Sequence, residues 1–233
     1  MEVSVNNLLD VLKNRRSIRS YKSDPIPENI LENVLEAFRW APSGANAQPW
    51  ELVVVRDKSK IEAIADIFIE LVERQKKLDP DFPGNSRRYL KDVPIIIVVC
   101  GDPRFKLAYP QTLSEREKDN IYFFSIGAAI QTLMLAAAEQ KLGSVWLTPE
   151  KIEEQKLKDM LGIPDVLEVL ACIPLGLPKK NISGRVRRSI NEFVHFDSFD
   201  NSKFRSTEQV NNFIKKSRIK AMYGQVKNEE EKS

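Results

Sequence analysis

The sequence predicts an α+β protein in which one central sheet is flanked by helices. Three observations predict it. The runs WELVVV, PIIIVVCGD and VLEVLACIPLG have the length and β-branched content of strands. The longer stretches between them repeat apolar residues at helical spacing. Helices outweigh strands, and elements with one apolar side must bury it against another layer. At 233 residues and 42% hydrophobic content, the chain can form one large domain or two small ones.

The elements follow in order. Val5, Leu8, Leu9 and Leu12 fall at i, i+3, i+4 and i+7, so an amphipathic helix opens the chain and ends near Asn14. Pro27 suits the first turn of a second helix, with Ile30, Leu31, Val34, Leu35 and Phe38 on its buried face. APSGANAQP is a loop by its Pro, Gly and Asn content. WELVVV reads as a buried strand. A third helix over about 58–77 carries Ile61, Ile64, Phe68 and Leu71 in register. DPDFPGNSRR is a polar loop and PIIIVVCGD a central strand. The next helix, about 115–141, is apolar nearly all round from Ile126 to Ala138, which predicts burial; Gly143 is expected to cap its end. SVWL reads as a short strand. PEKIEEQKLKDMLGIP reads as a helix with Pro149 at its start and Gly162 beyond its end, and VLEVLACIPLG as the last core strand. Past residue 200 the composition turns polar. A domain over 1–200 and an extension over 201–233 are expected, the extension holding a helix within STEQVNNFIKKSRIKAMYG and then a disordered KNEEEKS.

Charge and cysteine content exclude several classes. Charged residues make up 30% of the chain, yet the net charge is only +3, which argues against a nucleic-acid coat. Cys100 and Cys172 each lie in an apolar run, so a reducing cytoplasm is expected rather than a disulfide framework. MEVSVNNLLDVLKNRR is too short and polar for a signal peptide, and runs such as IIIVVC fall short of the roughly 20 residues of a membrane helix. No membrane partner is expected.

Much catalytic chemistry is also missing. No glycine spacing gives GxGxxG or a Walker loop, and no GxSxG is present. The only histidine, His195, lies in the aromatic stretch FVHFDSF and reads as an ordinary packing or surface residue; no metal site is expected. With so few nucleophiles and bases, a cofactor has to supply the chemistry.

Three stretches remain. In Arg15-Arg16-Ser17-Ile18-Arg19, guanidinium forks and a hydroxyl can take a phosphate, and Ile18 suggests that the segment is anchored to the core. The plain alternative is a solvated charge run. In APSGANAQPW, Ser43, Asn46 and Gln48 can bond the edge of a flat heterocycle, and the loop is longer than a helix-to-strand turn needs. GRVRRSINEF, with Arg185, Arg187 and Arg188, is either a second cationic arm or a surface run.

The combination resembles the nitroreductase family of FMN-dependent oxidoreductases. KNRRSIRSYKSDPIPENILENVLEAFRWAPSGANAQPWELVVV is similar to the family's opening block, IGAAIQTLMLAAAEQKLGSVWLT to its central helix and following strand, and PLGLPKKNISGRVRRSINEFVHF to its closing segment. The resemblance implies a three-layer α-β-α sandwich with a mostly antiparallel sheet, and a homodimer holding FMN at the subunit interface. It implies that Arg15 and Ser17 bind phosphate and ribityl with Arg16 alongside, and that Arg19 faces the pyrimidine end. Pro42, Ser43 and Asn46 would pack on the flavin from the partner subunit, with Gln48 at the ring edge. Leu147 and Thr148 would lie near N5, and Arg187 and Arg188 would close on the phosphate. The implied activity is ping-pong: NADH or NADPH reduces FMN, and a small electron-poor acceptor of nitroaromatic or quinone type then takes the hydride. Reductive-dehalogenase-like and flavin-destructase-like roles exist in the same superfamily. Readings of another class are a non-catalytic flavin-binding protein and a nucleic-acid-binding module.

Overall fold

The computed structural model of the protein describes residues 8–80, 82, 84, 86–180, 182 and 187–222, the last five as backbone only. Four strands form one sheet: β1 (Trp50–Val55), β2 (Ile95–Gly101), β3 (Gly143–Ser144) and β4 (Glu168–Gly176), in the order β1-β2-β4-β3. All three pairings are antiparallel, with Val53 opposite Val98 and Val98 opposite Cys172.

The two-residue period of the strands divides the core. Ile96, Val98 and Cys100 of β2 point to one face, with Cys172 of β4. There they meet Ile61, Ile64 and Phe68 of α3 (Lys58–Leu78) and Leu157 of α5 (Lys151–Leu161). Ile95, Ile97 and Val99 point to the other face, with Ala171 and Ile173. That face is covered by Leu31, Val34 and Phe38 of α2 (Glu28–Arg39) and by Ile126, Ile130 and Leu133 of α4 (Glu115–Glu139). The result is helices, sheet, helices. It explains why β2 is apolar without alternation: both of its faces are buried.

Several expectations need correction. β1 is an edge strand, half-buried over most of its length, rather than a buried one. Helix α4 ends at Glu139 with Gln140 as its C-cap, and Lys141 takes the left-handed position at φ 61°. Gly143 does not cap the helix but sits in β3, because a Cβ there would lie 2.7 Å from Cγ1 of Ile18. Of SVWL only Ser144 belongs to a strand; Leu147 makes a single bridge to Cys172. The burial expected of α4 from Ile126 to Ala138 holds, with only Gln131 of that stretch exposed; Phe123 and Phe124, just before it, are open. The helix is also long and apolar enough by composition to cross a membrane, unlike the strand-length runs, but its Ile126, Ile130 and Leu133 are taken by the sheet. Helix α1 (Leu8–Asn14) leaves Leu8, Leu9 and Leu12 exposed, and Val5 lies outside the described residues.

The chain divides into two compact units, Met1–Glu73 with Ser86–Ile182, and Arg74–Asn85 with Ser183–Ser233. In the second unit, His195 stacks on Phe199 at 4.2 Å and accepts the Asp200 N–H on Nδ1. It is a packing residue, as its aromatic surroundings suggest. Helix α6 (Thr207–Met222) follows; KNEEEKS lies outside the described residues.

Candidate functional site

The arginine segment is stitched into the first unit. The Arg15 N–H bonds the Val11 carbonyl at 2.8 Å as α1 ends, and the Ile18 N–H bonds the Ser144 carbonyl at 2.9 Å. Lys22 donates to the Leu177 carbonyl and Lys179 to the Ser20 carbonyl. Residues 17–22 therefore run between β3 and the chain leaving β4. Ile18 and Tyr21 are buried, and the Tyr21 hydroxyl donates to the Ile18 carbonyl at 2.7 Å. The anchoring role expected of Ile18 holds.

Beside this segment lies a cavity of about 490 Å³. Arg15 and Arg16 line it, together with Lys141, Ser144 and Lys180. The Arg16 guanidinium also donates to the Arg15 carbonyl at 2.8 Å. Ser17 and Arg19 are not part of the lining. Ser17 is paired with Ser144 in a parallel bridge. Arg19 donates to the Ser17 carbonyl at 3.2 Å and, with Arg87, faces the hydroxyl of Tyr89. Burial raises the pKa of that phenol, while the charges of Arg87 and Arg19 pull it down. Among the described residues neither arginine has a carboxylate partner.

The 41–49 loop is bound tightly to itself and to α4. Ser43 Oγ accepts the Gln48 N–H at 3.0 Å, and the Gln48 amide donates to the Asn46 carbonyl at 3.3 Å. The Gly44 N–H donates to Ser125 Oγ at 3.0 Å, and that hydroxyl donates to the Ile121 carbonyl. A Cβ at Gly44 would lie 2.1 Å from Ile121 Cγ2, so only glycine permits this approach. Ala45, Asn46 and Gln48 all have positive φ, at 54°, 53° and 50°. Left-handed backbone costs a non-glycine residue about 1–2 kcal/mol. Three such residues in a row of four are sustained by the Ser43 and Ser125 hydroxyls, and strain of this kind clusters at functional sites. Pro42, Asn46 and Gln48 remain exposed and Ser43 is half-buried.

Leu147 is buried and exchanges two hydrogen bonds with Cys172, at 3.1 and 2.8 Å; Thr148 next to it is exposed. Arg187 and Arg188 belong to the second unit, where the Arg188 guanidinium lies over Phe193 at 5.4 Å. Their approach to Arg15 stays an expectation, and Arg185 lies outside the described residues. Among the described residues no group of three or more His, Cys, Asp or Glu could hold a metal. Both cysteines are free and buried, and burial pushes the Cys100 thiol up to about 11, so it is no nucleophile at neutral pH.

Lys141, Ser144 and Tyr89 escape the sequence reading, and Lys180 enters it only within a basic run from Lys179 to Arg188. Lys180 carries a usable signal, since LPKKN directly follows the closing strand. Lys141 is hidden because the helical pattern of the sequence runs up to it.

A family model described as Nitroreductase family matches residues 12–177. A protein of Archaeoglobus fulgidus, named provisionally as an NADH dehydrogenase/NAD(P)H nitroreductase, is 31% identical over 173 residues, covering 73% of this chain and 85% of its own. Iodotyrosine deiodinase of Hydra vulgaris is 29% identical over 197 residues, covering 78% of this chain and 70% of its own. Nitroreductase A from Vibrio parahaemolyticus shares the fold, with a TM-score of 0.69 at 23% identity, over 92% of this chain and 85% of that one.

Proposed function

The chain belongs to the nitroreductase family, and from that premise we propose that it is an FMN-dependent oxidoreductase taking hydride from NADH or NADPH and passing it to a small electron-poor acceptor of nitroaromatic or quinone type, by a ping-pong mechanism. The observation that carries the reading is the cationic cavity beside the arginine segment. Its volume of about 490 Å³ lies within the range of small-molecule sites. A phosphate monoester carries nearly two negative charges at neutral pH. Arg15, Arg16, Lys141 and Lys180 outnumber the two carboxylates of the lining, Asp10 and Glu139. The residues present fit an FMN phosphate.

Bound FMN would supply the two-electron chemistry that the side chains lack. Arg15 and Ser17 would hold its phosphate and ribityl chain, with Arg16 alongside. Arg19 would set a positive charge at the pyrimidine end. Leu147 and Thr148 would lie near N5. Pro42, Ser43 and Asn46 would pack on the ring from the partner subunit with Gln48 at its edge, and Arg187 and Arg188 would close on the phosphate. The homodimer reading is supported by the apolar surface left open on α4, with Phe123 and Phe124, and on α1. Free, buried thiols suit a cytoplasmic location.

Steady-state kinetics test the reading. Anaerobic oxidation of NADH and NADPH with a quinone or nitroaromatic acceptor should give parallel double-reciprocal lines. Absence of any acceptor-dependent NAD(P)H oxidation by FMN-loaded protein would rule the activity out. The deiodinase relatives favour one second reading, reductive dehalogenation of a halophenol. Halide release under reduced flavin, without turnover of the quinone, would select it.

A further inference from the structure

We propose that Lys141 and Lys180 are additional binding residues for a phosphate monoester in the cavity beside Arg15 and Arg16. The inference rests on the flavin reading and deepens it: the monoester is the phosphate of FMN.

Both lysines line the cavity, and among the described residues neither has a hydrogen bond from its ammonium group or an ion pair. Their neighbours behave differently. Lys179 pairs with Asp92 at 3.0 Å, and Lys158 with Glu154 at 3.0 Å. Lys179 is absent from the lining, so successive residues at this bend divide between an internal ion pair and the cavity. Lys141 holds a left-handed backbone, φ 61°, at a helix end where glycine or asparagine is the ordinary choice. A lysine retained there against its own conformational preference is explained if its ammonium group has a task.

The surroundings suit one compact anion. Ser144 is buried, and its carbonyl holds the Ile18 N–H at 2.9 Å, so Lys141 and the arginine segment are referred to the same short strand. With Asp10 and Glu139 the lining holds four cations against two carboxylates, an excess matching the charge of one monoester. Ile18 and Leu142 give the lining an apolar component, which suits a ligand entering a concave site better than a polyanion crossing a flat surface.

The test uses the full-length chain and compares FMN with riboflavin, which lacks only the phosphate. Dissociation constants come from quenching of flavin fluorescence for wild type, K141A, K180A, K141A/K180A and the control K179A. Each cavity lysine should weaken FMN about tenfold, the lower end for a hydrogen bond to a charged group, with riboflavin unmoved. K179A should leave both constants unchanged. If wild type prefers FMN to riboflavin and K141A/K180A keeps the same ratio, the inference is overturned. Failure of the flavin reading itself looks different: wild type would quench neither flavin. Inorganic phosphate then decides, through its ³¹P line width. Broadening by wild type that is lost in K141A/K180A upholds the lysines, and broadening that is equal or absent in both overturns them.

Discussion

Replacing Gly143 with alanine should displace the arginine segment from its strand. The added methyl would sit 2.7 Å from Ile18 Cγ1 and 2.8 Å from both Cβ and Cγ2. Carbon atoms settle at about 3.5–4.0 Å, so the two backbones must part by roughly 1 Å. Overpacking of this kind costs about 1–3 kcal/mol. The Ile18 N–H bond to Ser144, 2.9 Å in the native chain, would stretch and forfeit roughly 1 kcal/mol more. The sum, about 2–4 kcal/mol, corresponds to a fall in melting temperature of roughly 5–15 °C for a chain of this size. Thermal unfolding followed by circular dichroism reads it, and FMN affinity should fall with it. Ile18→Ala in the same chain removes Cγ1 and Cγ2 from the clash, so it should cost less stability in G143A than it does in wild type. A G143A protein that melts like wild type and binds FMN equally well would refute the close approach and, with it, the anchoring of the arginines by β3.

Three further outcomes are expected. Ser125→Ala removes the acceptor of the Gly44 N–H and should cost about 1 kcal/mol, while protease cleavage within residues 42–49 speeds up; an unchanged cleavage rate would show that the latch does not hold the loop. The Cys100 thiol should resist a disulfide reagent at neutral pH and react once the chain is unfolded. Its folded pKa is raised, from 9.0 to about 11, so its contribution is complete below pH 9 and is lost as pH rises toward 11, up to roughly 3 kcal/mol; Cys100→Ala should flatten alkaline unfolding in that window, and an identical pH profile would contradict the assignment. Glu36, bonded by Arg39 and by the Trp40 indole at 2.6 Å, is lowered from 4.5 to about 2. A depressed carboxyl stabilises above its ordinary value, and that support is lost as pH falls from 4.5 toward 2. The indole N–H resonance of Trp40 should keep its position down to that range, and a shift centred at pH 4.5 would remove the bond.

Local chemistry made part of this fold legible. β2 is apolar at every position because helices cover both of its faces, and that pattern is visible in IIIVVC. Gly162 marks a helix end by its own backbone preference and caps α5 at φ 68°, while Pro27 stands one residue before the first turn it suits, as the N-cap of α2. Ile18 between arginines signals an anchored segment, and it is buried. Other features depend on partners distant in sequence. Gly143 follows a helix and suits a cap by local rules, yet Ile18, far earlier in the chain, is what forbids a side chain there. The all-round apolar stretch of α4, Ile126 to Ala138, predicts burial and is buried, but it says nothing of Phe123 and Phe124 just before it, which are left open. The length of the 41–49 loop is readable, but its positive φ at Ala45 and Gln48 is not, because neither residue favours it and the hydroxyls of Ser43 and Ser125 impose it. The cavity lysines stay hidden for a related reason: only the pairing of residues 17–22 with the chain at 144 and 177–179 brings Lys141 and Lys180 to one lining with Arg15.

The central claim is that the arginine segment and its cavity hold FMN. The most direct measurement is the absorbance spectrum of the full-length protein after mixing with FMN and gel filtration, together with identification of the chromophore released on denaturation. The account predicts a yellow protein that releases one FMN per chain and loses most of it when Arg15 is replaced by alanine. A colourless protein that retains no FMN, or an Arg15→Ala protein that retains as much as wild type, would contradict it.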